Sequence, residues 1–124
     1  MPGPLRGEIW FTKLSTDPPE KGKRPVVVVS INARNSHPHS STVLVVPLST
    51  SVHKDEVPTH LTLEPGQTGL RERVIAKAED VSVVWKNELD PSRERLRVLS
   101  SYQVCELAHK VEFAMGCGAT APNR

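Results

Sequence analysis

Lys21-Gly22-Lys23-Arg24-Pro25-Val26-Val27-Val28-Val29-Ser30 places three cations on a glycine-bearing loop, then a proline that opens a run of four valines. Proline gives no N–H to a sheet ladder, so it belongs at a strand's first residue, an edge or a bulge. β-branched valines favour a pleated, buried surface. The stretch therefore reads as a loop that ends and a buried second strand, residues 25–30, that begins. Arg24 directly precedes that strand, so a rigid element holds its backbone. A guanidinium fixed there is a planar, forked, permanently charged phosphate ligand. The competing reading is a solvated basic loop that caps a core strand.

Working outward, residues 7–14 (GEIWFTKL) supply a first strand. Residues 15–23 carry Asp17, Pro18, Pro19 and Gly22, too proline-rich for a helix or an inner strand. This loop is longer than a tight hairpin needs, which suits a functional flap. Residues 31–41 are polar and turn-rich, with room for one short helical turn. Residues 42–48 (TVLVVPL) form strand three, with Pro47 marking an edge or bulge, and Ser49-Thr50-Ser51 follow at its mouth. Residues 58–63 alternate as strand four, 64–69 make a turn, and a strand covers 74–78 with extended chain over 81–84. Residues 86–89 read as a helical turn and 93–99 as a last strand. Ser100 or Ser101 then caps a helix, with Glu106 supporting its start. Val104, Leu107, Ala108, Val111 and Met115 give that helix one apolar face, and Cys105 is assigned to its buried core. The expected organisation is a disordered lead over 1–6, a single domain over 7–116 and a flexible tail over 117–124. The fold class is mostly β with short helices: a small, curled, mainly antiparallel sheet with a C-terminal helix packed on it.

A length of 124 residues suits one core, and a formal charge of +2 excludes a grossly basic nucleic-acid binder while allowing a local basic groove. No apolar run approaches the roughly 18 residues of a membrane span. The first six residues lack the apolar core of a secretion signal, and two cysteines do not make a disulfide framework. A cytoplasmic, reduced protein is expected. With only Trp10, Phe11, Trp85, Tyr102 and Phe113 as aromatics, base stacking is not the main binding device.

Arg24 with Ser49 and Thr50 is the favoured chemical constellation, each lying at an end of a core strand. If strands two and three are neighbours, a cation and two hydroxyls meet on one rim, a set suited to phosphodiester chemistry. Otherwise the hydroxyls simply cap a turn. His53 and Lys54 follow this run; His53 suits acid–base work near neutral pH or a solvated loop. His60 is assigned a structural hydrogen bond. His37-Pro38-His39 lacks the further ligands that zinc needs, so no metal or other cofactor is expected. Glu20, Glu79 and Asp80 are acids that face the cations, meet bases or merely close turns.

The order of motifs carries a resemblance. Arg6-Gly7-Glu8-Ile9-Trp10, Lys23-Arg24-Pro25-Val26-Val27-Val28-Val29-Ser30, Val43-Leu44-Val45-Val46-Pro47-Leu48-Ser49-Thr50-Ser51, Pro58-Thr59-His60, Gly69-Leu70-Arg71 and Ala78-Glu79-Asp80 together resemble the MazF/PemK family of toxin endoribonucleases, over about residues 6–116. The resemblance implies an SH3-like, curled antiparallel barrel of the PemK/CcdB type, acting as a homodimer. It implies the toxin of a toxin–antitoxin pair, cutting single-stranded RNA at short motifs without a metal. The RNA's own 2′-hydroxyl attacks, leaving 2′,3′-cyclic phosphate and 5′-hydroxyl ends. The family's arginine matches Arg24, and its hydroxyl after strand three, usually threonine, matches Ser49, with Thr50 next to it. Glu20, Lys21, Lys23, His53, Lys54 and Asp80 are the expected RNA-binding positions. A cognate antitoxin with an acidic tail is the implied partner. The alternative is a CcdB-like gyrase-binding toxin without nuclease activity.

Overall fold

The computed structural model describes residues 4–50, 57–91 and 96–116. Six strands form one antiparallel sheet: β1 (Ile9–Thr12), β2 (Arg24–Val28), β3 (Thr42–Ser49), β4 (His60–Leu63), β5 (Val74–Lys77) and β6 (Ser82–Trp85). Their order is β1-β2-β3-β5-β4, with β6 also on β3. β3 is the hinge of the sheet. β2 runs along one edge of it, while β6 pairs with Thr42–Val45 and β5 with Leu48 and Ser49 on the other. Handing the second edge from β6 to β5 curls the sheet. Among the described residues the outermost strands β1 and β4 do not pair, so the curl stays open.

The valine run is unbroken because both faces of β2 are buried, the situation in which a strand loses its polar alternation. Val27 lies between Ile9 and Val46 in one core cluster, which also holds Leu48, Leu63, Val74 and Leu107. Val26 and Val28 belong to a second cluster with Leu14, Val43, Val45, Val84 and Leu89. The helix α1 (Asn32–Asn35) follows β2. Its buried Asn35 donates to the Ser30 carbonyl at 2.8 Å, and Ser30 Oγ accepts from the Leu44 amide at 3.1 Å.

Several expected elements differ: β2 spans Arg24–Val28 rather than 25–30, and β4 begins at His60 rather than at 58. The 64–69 turn contains a short helix α2 (Pro65–Thr68), made by a capping box in which Gln67 Oε1 accepts from the Glu64 amide at 2.9 Å. The strand expected over 74–78 stops at Lys77, and Ala78–Asp80 form a 3-10 turn. Residues 96–99, expected within a last strand, form none. Isolated bonds hold them instead, from the Arg97 amide to the Thr68 carbonyl at 2.8 Å and from the Leu99 amide to the Gly7 carbonyl at 2.9 Å. Leu99 is a docking point rather than one rung of a ladder. Gly7 permits this approach, since it adopts φ +91° and a Cβ there would lie 2.8 Å from the Leu99 carbonyl oxygen.

The helix α3 (Ser101–Ala114) starts at Ser100, which accepts from the Gln103 amide at 3.2 Å while Gln103 Oε1 accepts in return at 3.0 Å. The box partner is Gln103, not Glu106. Val104 and Leu107 are fully buried and pack with the first cluster. Cys105 is exposed, not core, because the buried stripe is narrow. Met115 is exposed as well, and Gly116 follows with φ +84°.

Candidate active site

β2 is an inner strand between β1 and β3, and Arg24 is its first residue. The partner of Arg24 on β1 is Thr12. The β2–β3 pairing runs from Val28↔Val45 to Val26↔Pro47 and stops short of Arg24 and Ser49, which is paired with Ile75 instead. The Arg24 fork is split between two anchors. Nη1 donates to both carboxylate oxygens of Asp17 at 3.2 Å, and Nη2 donates to the Leu48 carbonyl at 3.1 Å. That carbonyl immediately precedes Ser49. Nε makes no hydrogen bond among the described residues, so part of the guanidinium's donor set is uncommitted.

Ser49 and Thr50 do not share a face. Ser49 is still in β3, in the same alternation set as Val43 and Val45, and half-buried. Thr50 is past the strand and exposed. It lines a cavity of about 570 Å³ together with Phe11, Lys23, Pro25, Arg71, Val74 and Asp90. Lys23 and Pro25 line this cavity, whereas Arg24, between them, does not. Lys23 makes an ion pair with Asp90, which an isolated bridge to Phe11 sets beside β1.

The other expected residues are spread around this centre. Glu20 and Lys21 are exposed on the 3-10 turn Pro19–Lys21. Asp80 is exposed at the end of the turn after β5, and no described hydrogen bond or ion pair links its side chain to Arg24 or Ser49. His53 and Lys54 lie outside the described residues. Sequence reasoning missed Asp17 as the partner of Arg24; its only signal is an acid seven positions earlier in the proline-rich loop. Arg71 was quoted in a motif but not assigned to the site, yet it lines the cavity.

The structural hydrogen bond expected of His60 is present: Nε2 lies 2.9 Å from Glu79 Oε2, and Thr59 Oγ1 donates to Glu79 Oε1 at 2.8 Å. Burial works to raise the Glu79 carboxyl. The hydrogen bonds from His60 and Thr59, a backbone bond and the charge of His60 outweigh it and hold Glu79 below its ordinary range. Among the described residues no group of three or more His, Cys, Asp or Glu side chains is placed to hold a metal ion.

Residues 5–115 match the family described as PemK-like, MazF-like toxin of type II toxin-antitoxin system. The chain is 26% identical over 113 residues to Endoribonuclease MazF of Staphylococcus saprophyticus, covering 90% of each chain. A solved structure described as an endoribonuclease from Mycobacterial species superposes with a TM-score of 0.69 at 26% identity, over 94% of each chain. Another, an endoribonuclease in complex with its cognate antitoxin from Mycobacterial species, gives 0.66 at 24% identity over 91% of this chain and 95% of that one.

Proposed function

Since the chain belongs to the PemK-like, MazF-like toxins of type II toxin–antitoxin systems, we propose that it is the toxin of such a pair and acts as a sequence-specific endoribonuclease on single-stranded RNA. The observation that carries this reading is the bond from Arg24 Nη2 to the Leu48 carbonyl, directly before Ser49. A guanidinium tied to the strand carbonyl beside a hydroxyl has the composition needed to hold a phosphodiester. The staphylococcal relative named as an endoribonuclease supports the same activity.

In the proposed reaction the RNA's 2′-oxygen attacks the adjacent phosphorus and the bond to the 5′-oxygen breaks. A proton leaves the 2′-hydroxyl and one is gained by the 5′-oxygen. The ends are a 2′,3′-cyclic phosphate and a 5′-hydroxyl, and no metal is required. Arg24 stabilises the charge that grows on the phosphate oxygens; a permanently charged guanidinium has no free lone pair with which to act as a base. Ser49 donates to a phosphate oxygen or orients the attacking group. Thr50 belongs to the cavity, so its part is in binding the strand. Lys21 and Lys23, with His53 and Lys54, serve the phosphate path, and Glu20 and Asp80 meet bases or tether the loop.

The proposed working unit is a cytoplasmic homodimer of the 7–116 domain, held in check by an antitoxin whose acidic tail covers the RNA groove. Among the described residues no helix is long and apolar enough to cross a membrane.

The test is cleavage of a long mixed-sequence RNA in EDTA with end-group analysis. Cuts at a few short motifs, ending in cyclic phosphate and lost in Arg24→Ala, support the reading. Folded protein that cuts no RNA points to a gyrase-binding toxin instead.

A further inference from the structure

We propose that Asp17 is a positioning residue for the reaction, acting through Arg24: it fixes the guanidinium plane against β3 and so aims its remaining donors. This rests on the reading of Arg24 as the phosphate-holding group.

The geometry is a two-point clamp. Nη1 meets both Asp17 oxygens and Nη2 meets the Leu48 carbonyl, so the guanidinium is fixed on both sides of its central carbon by two separate elements. One anchor is the backbone of β3. The other is the loop between β1 and β2. With the strand anchor alone, the guanidinium keeps rotation about its last side-chain bonds. With both, its remaining donors point one way relative to Ser49. Both side chains of the pair are 13% exposed, so solvent screens this contact little.

The loop that delivers the carboxylate is ordered by its own bonds. The Asp17 amide donates to the Leu14 carbonyl at 3.1 Å, and Leu14 is buried in the second core cluster. Pro18 and Pro19 then restrict the backbone, Lys13 Nζ donates to the Pro19 carbonyl at 3.0 Å, and the Lys21 amide donates to the Pro18 carbonyl at 3.0 Å. Asp17 is therefore held on the core rather than carried by a loose strand of charge.

The electrostatic consequence concerns which state of the substrate is favoured. An unpaired arginine attracts any phosphodiester along the RNA, which is uniform binding and does not raise kcat. A carboxylate on one nitrogen lowers that attraction in the ground state and the transition state alike, so its benefit lies in where the remaining donors are aimed. The extra charge on the phosphate oxygens in the transition state is then met by donors already aimed at it.

The experiment compares wild type, Asp17→Asn, Asp17→Glu and Arg24→Ala. Single-turnover cleavage of one mapped RNA gives the rate, and the same RNA with a 2′-deoxy nucleotide at the cut gives Kd. Asp17→Asn is expected to lower the rate by about tenfold to a hundredfold with Kd unchanged or tighter. Asp17→Glu, which keeps the charge, is expected to recover part of that loss. The inference is overturned if Asp17→Asn cleaves within about twofold of wild type, or if its rate and RNA affinity fall in step. If Asp17→Asn does not fold, Asp17→Glu carries the same test: wild-type rate with a folded protein whose carboxylate is displaced by one methylene overturns it. Arg24→Ala separates the two levels. Wild-type cleavage by that variant removes the reading of the site itself, whereas an inactive Arg24→Ala beside a fully active Asp17→Asn removes only the role of Asp17.

Discussion

Lys23 and Arg24 are adjacent cations, and each faces an aspartate, yet the two pairs are unlike. The Lys23–Asp90 side chains are 59% and 46% exposed, while those of Arg24 and Asp17 are both 13% exposed. Lys23 lines the cavity with Pro25 and Thr50, whereas Arg24 lies outside it, bonded to Asp17 and to the Leu48 carbonyl. A basic run that looks uniform in sequence therefore holds one exposed, screened charge and one charge fixed on the protein framework. The first kind attracts a polyanion. The second kind stabilises a particular state of one phosphate.

The largest expected effect sharpens this contrast. Arg24→Ala should reduce RNA cleavage by at least about a hundredfold, the scale of removing a preorganised transition-state donor, whereas Lys23→Ala should keep kcat near wild type. Equal losses in the two variants, measured at saturating RNA, break the comparison. The hydroxyls come next. Ser49→Ala should lower kcat by about tenfold or more, and Thr50→Ala should mainly raise KM by a few fold, because only Thr50 lines the cavity. The reverse pattern in steady-state kinetics exchanges the roles of the two faces.

The smaller effects concern stability. Asp90→Ala should cost about 1 kcal/mol or less in urea unfolding, and less still in high salt, since both partners are well exposed. The His60–Glu79 pair, 11% and 38% exposed, stands between the other two. Its folded carboxyl is depressed below the ordinary 4.5, so its stabilisation is present above about that pH and is lost as pH falls through the lower folded value. Thermal unfolding should therefore show wild type converging on Glu79→Gln below about pH 4.5, with the gap restored near neutrality. A gap that widens on acidification contradicts the sign.

Arg24 was legible because Pro25 and the valines announce where a buried strand begins, and the residue before it inherits a fixed backbone. The two serine–threonine hydroxyls were legible as a run but not as a division of labour. Which of them still belongs to β3 depends on the pairing of Ser49 with Ile75, a contact set by tertiary structure. Asp17 was not legible as a partner, because a proline-rich loop has no period from which to project a side chain. The strand expected over 93–99 rests on apolar content; 93–95 lie outside the described residues, and of the rest Leu99 is buried as an anchor and Val98 is 62% exposed, with no ladder neighbour among the described residues. Cys105 was misread for a related reason: beside Val104 and before Leu107, it sits just off a stripe narrower than the apolar pattern suggests.

The contact between Gly7 and Leu99 also bears on how the molecule comes into being. Gly7 donates to Val28 at 2.8 Å and accepts from Leu99 at 2.9 Å, so a single residue near the beginning clasps both the central strand and the segment that leads into the last helix. A chain emerging from a ribosome makes the first of these contacts early and the second only after Leu99 has followed. Until then the face that receives Val104 and Leu107 stays uncovered, and the hydrophobic cluster beneath it is incomplete. Closure entropy grows only slowly with the length of chain enclosed, so the final clasp is late rather than costly. Completion of the core thereby waits on the arrival of α3.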